Sequence, residues 1–195
     1  MTDLTQLTQQ IEQLSSQSRA KLAAYIEFLQ WQERQKRISE AKDWSFSFIE
    51  SYKQASTYAS DDPAGMELNL GPATVGGVNR PALWAHPPVV GQAIIEYHVP
   101  IPQNIYDVRL KVAIGIRDGA QIDDMNLVAF GIKANGARVW GQQTNSSHWE
   151  EAEMSLNVIA GDVTRIEFTT EALGRHEWTW AVWGTPELTG KIRKN

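Results

Sequence analysis

The sequence predicts an α+β chain: an N-terminal helical hairpin followed by an antiparallel β-sandwich of jelly-roll type. Three observations carry this. The first 56 or so residues show apolar positions at helical spacing. From Ser60 onward, short runs of Val, Ile, Phe and Trp alternate with Gly, Asn and Asp, which is strand-and-turn patterning. Between them lies SDDPAG, a turn-forming cluster with no apolar residue large enough to pack. The division expected is therefore a helical segment at 1–60 and a sandwich at 61–195.

Leu4, Leu7, Ile11 and Leu14 share one helical face, and Asp3 with Gln6 has the spacing of a capping box. Ser15, Ser16 and Ser18 interrupt this helix and offer a new N-cap. A second helix is expected over about 18–37, with Leu22, Ile26 and Leu29 as its stripe, widened by Tyr25 and Phe28. DWSFSFIESYKQAS is two-faced. Trp44, Phe46 and Phe48 alternate as in a strand, whereas Phe48, Ile49, Tyr52 and Ala55 fit a helix. A short third helix capped by Asp43 is the reading preferred here.

Strands are expected at 66–70, 92–99, 106–116, 126–133, 137–142, 153–159, 163–170 and 178–188. Asn135-Gly136 falls between two of them and is a type I′ hairpin signal, because both turn positions need positive φ. Many short strands separated by turns point to a sandwich rather than a parallel α/β sheet. The helical stripe must be covered by the sandwich, by another helix or by a second copy of the chain, so a homodimer through the N-terminal helices is one expected arrangement.

Composition excludes several classes. The net charge is −5 and the basic residues are scattered, which argues against nucleic acid as partner. There is no cysteine, hence no disulfide, thiolate metal site or Cys nucleophile. No apolar run approaches the length needed to span a bilayer, so no membrane partner is expected. MTDLTQLTQQIEQL has neither the basic nor the apolar region of a secretory signal, and a cytoplasmic location is the expectation.

The run ALWAHPP, AIIEYHVP, VRLKVAIGIRDGA, LVAFGIKANGARVW, RIEFTT and TWAVWGTPEL resembles the NPCBM-type domains, which are galactose-binding-like β-sandwiches found beside glycosidases. Ala85-His86-Pro87, Ile95-Glu96-Tyr97, Gly115-Ile116-Arg117-Asp118, Phe130-Gly131-Ile132, Asn135-Gly136 and Ala181-Val182-Trp183 correspond to the family pattern, over roughly residues 80 to 190. The chain departs from it at Val182 and Arg117, where the family carries acids. LSSQSRAKLAAYIEFLQWQE is similar to the helical segments of bacterial antitoxin-type proteins. The resemblance implies a bacterial carbohydrate-binding module.

Eight tryptophans in 195 residues supply the chemistry for such a role. Sugar C–H faces stack on flat aromatic rings, while hydroxyls need polar neighbours. Trp149, in the polar loop TNSSHWEE, is the expected exposed platform, with Asn145, His148 and Glu150 as hydrogen-bonding neighbours. Trp178 and Trp180 share one face if they lie on a strand, and one of them is the expected second platform; Trp183 falls on the other parity unless a bulge intervenes, and the resemblance implies that it is core. Trp84 and His86 precede the prolines of WAHPP and are candidate ligand contacts, although His86 is first expected to bond a backbone carbonyl and close the sandwich end.

Catalytic motifs are absent: no G-x-S-x-G, H-E-x-x-H or P-loop occurs, and Ser146-Ser147-His148 has no evident orienting acid. Glu150, Glu151 and Glu153 are neighbours on one segment rather than a carboxylate pair across a cleft. Asp118, Asp123 and Asp124 in IRDGAQIDD offer a possible Ca²⁺ loop without EF-hand spacing; no other cofactor is expected. Two functions are expected side by side: a non-catalytic glycan-binding module, or a cytosolic scaffold whose helices and Trp-rich loops dock a protein partner.

Overall fold

A computed structural model describes residues 11–40 and 43–193. The chain divides into two compact units, Met1–Lys42 and Asp43–Asn195.

In the first unit, α1 runs from Ser16 to Glu40. Ser15 Oγ accepts the Ser18 N–H at 3.2 Å, so the serine cluster does supply the cap. Tyr25, Ile26 and Leu29 on this helix are exposed. The expected hairpin is not found. Among the described residues there is one long helix, and the first arm at residues 3–10 lies outside them. No helix among the described residues is long and apolar enough to cross a membrane.

The second unit is a two-sheet antiparallel sandwich. Its strands are β1 (Asp43–Ser47), β2 (Ser56–Ala59), β3 (Glu67–Val75), β4 (Val78–His86), β5 (Gln92–Pro100), β6 (Ile105–Ile116), β7 (Val128–Ala134), β8 (Ala137–Thr144), β9 (Glu150–Ser155), β10 (Val163–Ala172) and β11 (Ala181–Ile192). One sheet has the order β3-β4-β11-β6-β9, with β1 also on β11; the other has the order β2-β5-β10-β7-β8. Between them pack Trp183, Tyr97, Phe48, Phe130 and Phe168, all fully buried and meeting edge to face. Asn135 and Gly136 have φ of 50° and 83°, as the type I′ turn between β7 and β8 requires.

The third helix proposed for residues 43–56 is a strand, a turn and a short 3₁₀ segment at Tyr52–Gln54. Trp44 pairs with Gly190 of β11 and is buried, so the alternating pattern prevailed over local helix propensity. Residues 43–59, assigned above to the helical segment, therefore contribute two strands to the sheets.

The sequence reading also missed β4, which carries Pro81 within it. Pro81 faces Pro72 across the β3–β4 hairpin, and neither can donate to the ladder. β4 pairs with β11 only at Ala82–Trp84. Beyond the prolines the hairpin lies over the outer face of its own sheet. There the Asp118 N–H donates to Thr74 O, and the Asp118 carboxylate accepts the Gly76 and Gly77 N–H groups at 2.8 and 2.9 Å. Both glycines have positive φ, forming a second I′-like turn. This arm encloses a small second core of Ala73, Val75, Ala82 and Val182, flanked by Trp84 and Trp149.

Candidate functional site

Four of the residues singled out for chemistry meet at one end of the sandwich. β4 ends there at His86 and β11 begins there at Ala181, so Trp84 and His86 come beside the loop 173–180 that carries Trp178 and Trp180. The Trp178 and Trp180 rings lie 5.2 Å apart, tilted by 55°. The Arg117 guanidinium sits 3.6 Å from the Trp84 ring centroid and 5.5 Å from that of Trp180. The result is a column Trp178–Trp180–Arg117–Trp84, with its tryptophans half-buried. A cation over an indole face at a partly buried site is worth about 0.5–2 kcal/mol, so Arg117 braces the column.

The column does not arise from strand alternation. β11 begins at Ala181, and Trp178 occupies the left-handed region at φ 68°, an unusual conformation for a bulky residue. The loop is held in this shape from several sides. The Arg117 N–H donates to Trp180 O, and the Arg175 N–H to Met125 O. The buried Asn126 side chain donates to Glu177 O. Gly174 passes so close to the Met125 carbonyl that a Cβ would collide with it.

Two histidines complete the support. His86 Nδ1–H donates to Thr179 O at 2.7 Å, and His176 Nε2–H donates to Pro87 O at 2.9 Å. Their rings lie 4.6 Å apart. His86 thus bonds a backbone carbonyl, as WAHPP suggested. Burial is the main cause of its lowered pKa, and His176 adds to the lowering; the Thr179 hydrogen bond and Glu67 act in the opposite direction. A neutral His86 can hold this loop without bringing charge into the fold.

Trp149 is elsewhere, and its ring is half-buried rather than exposed. Its ring is seated on Gly184, where a Cβ would come within 2.7 Å of it. Its N–H donates to Val78 O at 2.9 Å, and the Arg80 guanidinium lies 5.2 Å from its centroid. It covers the second core. Its expected polar partners serve nearby structure: Asn145 donates to Asp123 O, and Glu150 accepts from Thr144 and Gln142. His148 is exposed beside Ser147, and Ser146 Oγ donates to the His148 carbonyl. Trp183 is fully buried, as the resemblance implied.

The three acids of the suggested Ca²⁺ loop do not converge. The Asp118 carboxylate takes the two glycine amides, while Asp123 takes Arg175 and the Met125 N–H. Asp124 is exposed. Among the described residues no group of three or more His, Cys, Asp or Glu side chains is placed to hold a metal. Sequence reasoning missed Arg117, His176 and Asn126. Arg117 had been noticed only as a departure from a family pattern, and its value depends on what lies on either side of it in space.

No family model matches the chain, whether for NPCBM-type domains or antitoxin-type helices, and no curated protein matches it. Solved structures do match. The tandem CBM51 modules of a family 98 glycoside hydrolase from Streptococcus pneumoniae align with a TM-score of 0.55 at 10% identity, over 78% of this chain and 49% of theirs. This chain therefore spans about half the length of that tandem pair. A CBM51 from a Clostridium perfringens GH95 protein, solved with methyl-galactose, aligns at 16% identity over 74% of this chain and 99% of its own, with a TM-score of 0.48. A cyclase from Fischerella sp. TAU aligns at 14% identity over 73% and 86%, also with a TM-score of 0.48. At these identities the likeness is one of fold: the chain carries a β-sandwich of the kind used by carbohydrate-binding modules.

Proposed function

We propose that this chain is a non-catalytic glycan-binding module whose sugar platform is the loop end around Trp178 and Trp180. The observation that carries the reading is the Trp178–Trp180–Arg117–Trp84 column, braced by a cation and held in a strained loop. Strain maintained by many contacts is characteristic of functional sites. A half-exposed indole face suits the apolar side of a sugar ring. Around it, Glu177 and Glu67 are exposed and offer carboxylate acceptors to hydroxyls.

The side chains most open to a catalytic reading are engaged otherwise. Ser146 bonds a carbonyl, Glu151 pairs with Arg80, and Glu153 pairs with Arg109. A binding role needs neither nucleophile nor general acid. The sandwich fold, shared with carbohydrate-binding modules, supports the same reading.

A glycan array with the full-length protein, repeated with Trp178→Ala and Trp180→Ala, tests this. Binding by the wild type and its loss in both folded variants is expected. Undiminished binding in either variant would remove that ring from the site, and in both would overturn the platform.

A further inference from the structure

The Trp178–Trp180–Arg117–Trp84 column holds hydrogen-bond donors that have no acceptor. A guanidinium is all donor, and burying part of its charge is costly unless an oxygen or an opposite charge meets it. In the sandwich, Arg80, Arg109, Arg165 and Arg175 each pair with a carboxylate, while Arg138 and Arg193 are exposed. Arg117 differs from all of them. It is half-buried, yet among the described residues no carboxylate or carbonyl accepts from its side chain.

Its neighbours are indoles, with the Trp84 and Trp180 centroids 3.6 and 5.5 Å from the guanidinium. Indole faces attract the charge but leave the planar N–H fork without an oxygen. Trp84 repeats the pattern. Its Nε1–H is enclosed without a partner, and the residue beside it is Gly71, where a Cβ would lie 3.7 Å from that nitrogen and no side chain exists to accept from it. The nearby acids do not fill the role. The Asp118 carboxylate is taken by the Gly76 and Gly77 amides, and among the described residues no ion pair joins Glu67 or Glu177 to Arg117.

We infer that Arg117 is an anion subsite of the platform, and that the ligand is a sugar acid whose carboxylate meets the guanidinium fork while its ring lies on the Trp178–Trp180 pair. A carboxylate is planar and accepts two parallel N–H bonds from one guanidinium. It also brings a single negative charge, which matches a single uncompensated cation. A phosphate or a polyanion brings more charge than this, and it would approach Glu67, Glu177 and a chain of net charge −5. A neutral sugar would leave the guanidinium without a counter-charge. The inference rests on the glycan-binding reading above and specifies the charge of the ligand.

Tryptophan-fluorescence titration and ¹H–¹⁵N spectra of the full-length protein test it. The probes are the methyl glycosides of glucuronic, galacturonic and mannuronic acid, each beside its neutral methyl ester. At least one acid is expected to bind about tenfold or more tighter than its ester, as one charge-assisted pair supplies, and to move the Arg117 Nε–H and Trp84 Nε1–H signals. Arg117→Gln is expected to remove that preference. Arg117→Lys, which keeps the charge but not the fork, should restore only part of it. The acid–ester comparison uses the wild type alone, so it stands even where Arg117→Gln fails to fold. Equal binding of acid and ester would overturn the inference and leave the platform standing. So would an acid preference that survives in folded Arg117→Gln. Sodium acetate moving both signals at the same concentration as the sugar acid would reveal a bare anion site and overturn the sugar acid as ligand. No binding of any sugar would overturn both this inference and the platform.

Discussion

Asn126 ties the 173–180 loop to the sandwich, and Asn126→Ala measures how far the loop depends on it. Its side chain is 2% exposed; Oδ1 accepts the Asp123 N–H at 2.9 Å and Nδ2 donates to Glu177 O. The substitution removes two hydrogen bonds, each worth about 0.5–1.5 kcal/mol net, and leaves a partner carbonyl short of its donor. Together these come to about 2–3 kcal/mol. The loss is expected in one of two places. If the loop unfolds with the sandwich, urea unfolding followed by tryptophan fluorescence shows it as lost stability. If the loop opens by itself, the Leu173 and Arg175 amides report it, because they donate to Leu127 O and Met125 O in the native loop. Their hydrogen exchange would then speed up roughly 30- to 150-fold, the same free energy at tenfold per 1.4 kcal/mol. Stability within about 0.5 kcal/mol of wild type, together with unchanged exchange at both amides, would refute the argument that Asn126 holds the loop.

Two further outcomes are expected. At Trp178 the backbone is left-handed, so Trp178→Gly should be more stable than Trp178→Ala by about 1 kcal/mol, the reverse of the usual order within regular structure; equal or inverted stabilities in denaturant melts would show that the loop relaxes out of this conformation. His86 has a folded pKa below its ordinary value, chiefly through burial, and it faces His176 and Glu67. The unfolded chain therefore binds the extra proton first, and stability should fall as pH drops below about 6.5, until the folded group itself protonates. His86→Gln should flatten part of this slope between about pH 7.5 and 5.5, and an unchanged slope would assign it to other groups.

Much of the sandwich was legible because its signals are local. Asn135-Gly136 specifies its turn through the φ that each residue tolerates, and the alternation of β6 and β10 marks one buried face without reference to any neighbour. Residues 43–56 were misread because both periodicities are present there, and only pairing with β11 decides between them. β4 escaped notice because Pro81 and the continuous run ALWAH obscure its period, which is what a strand buried on both faces looks like.

For the site, the sequence by itself determined the kinds of side chain available: tryptophans in excess, a histidine held against prolines, and acids without a metal-binding pattern. Their arrangement was decided by tertiary structure alone. Trp149, among polar neighbours in sequence, is seated on Gly184, a glycine 35 positions along the chain. Trp84 and Trp180, far apart in sequence, both come beside Arg117 because β4 and β6 both flank β11. A side chain's chemistry is local to its residue, but its exposure and its partners depend on long-range strand pairing. Composition therefore supplies the rings, and only the register of the sheets shows which of them come together.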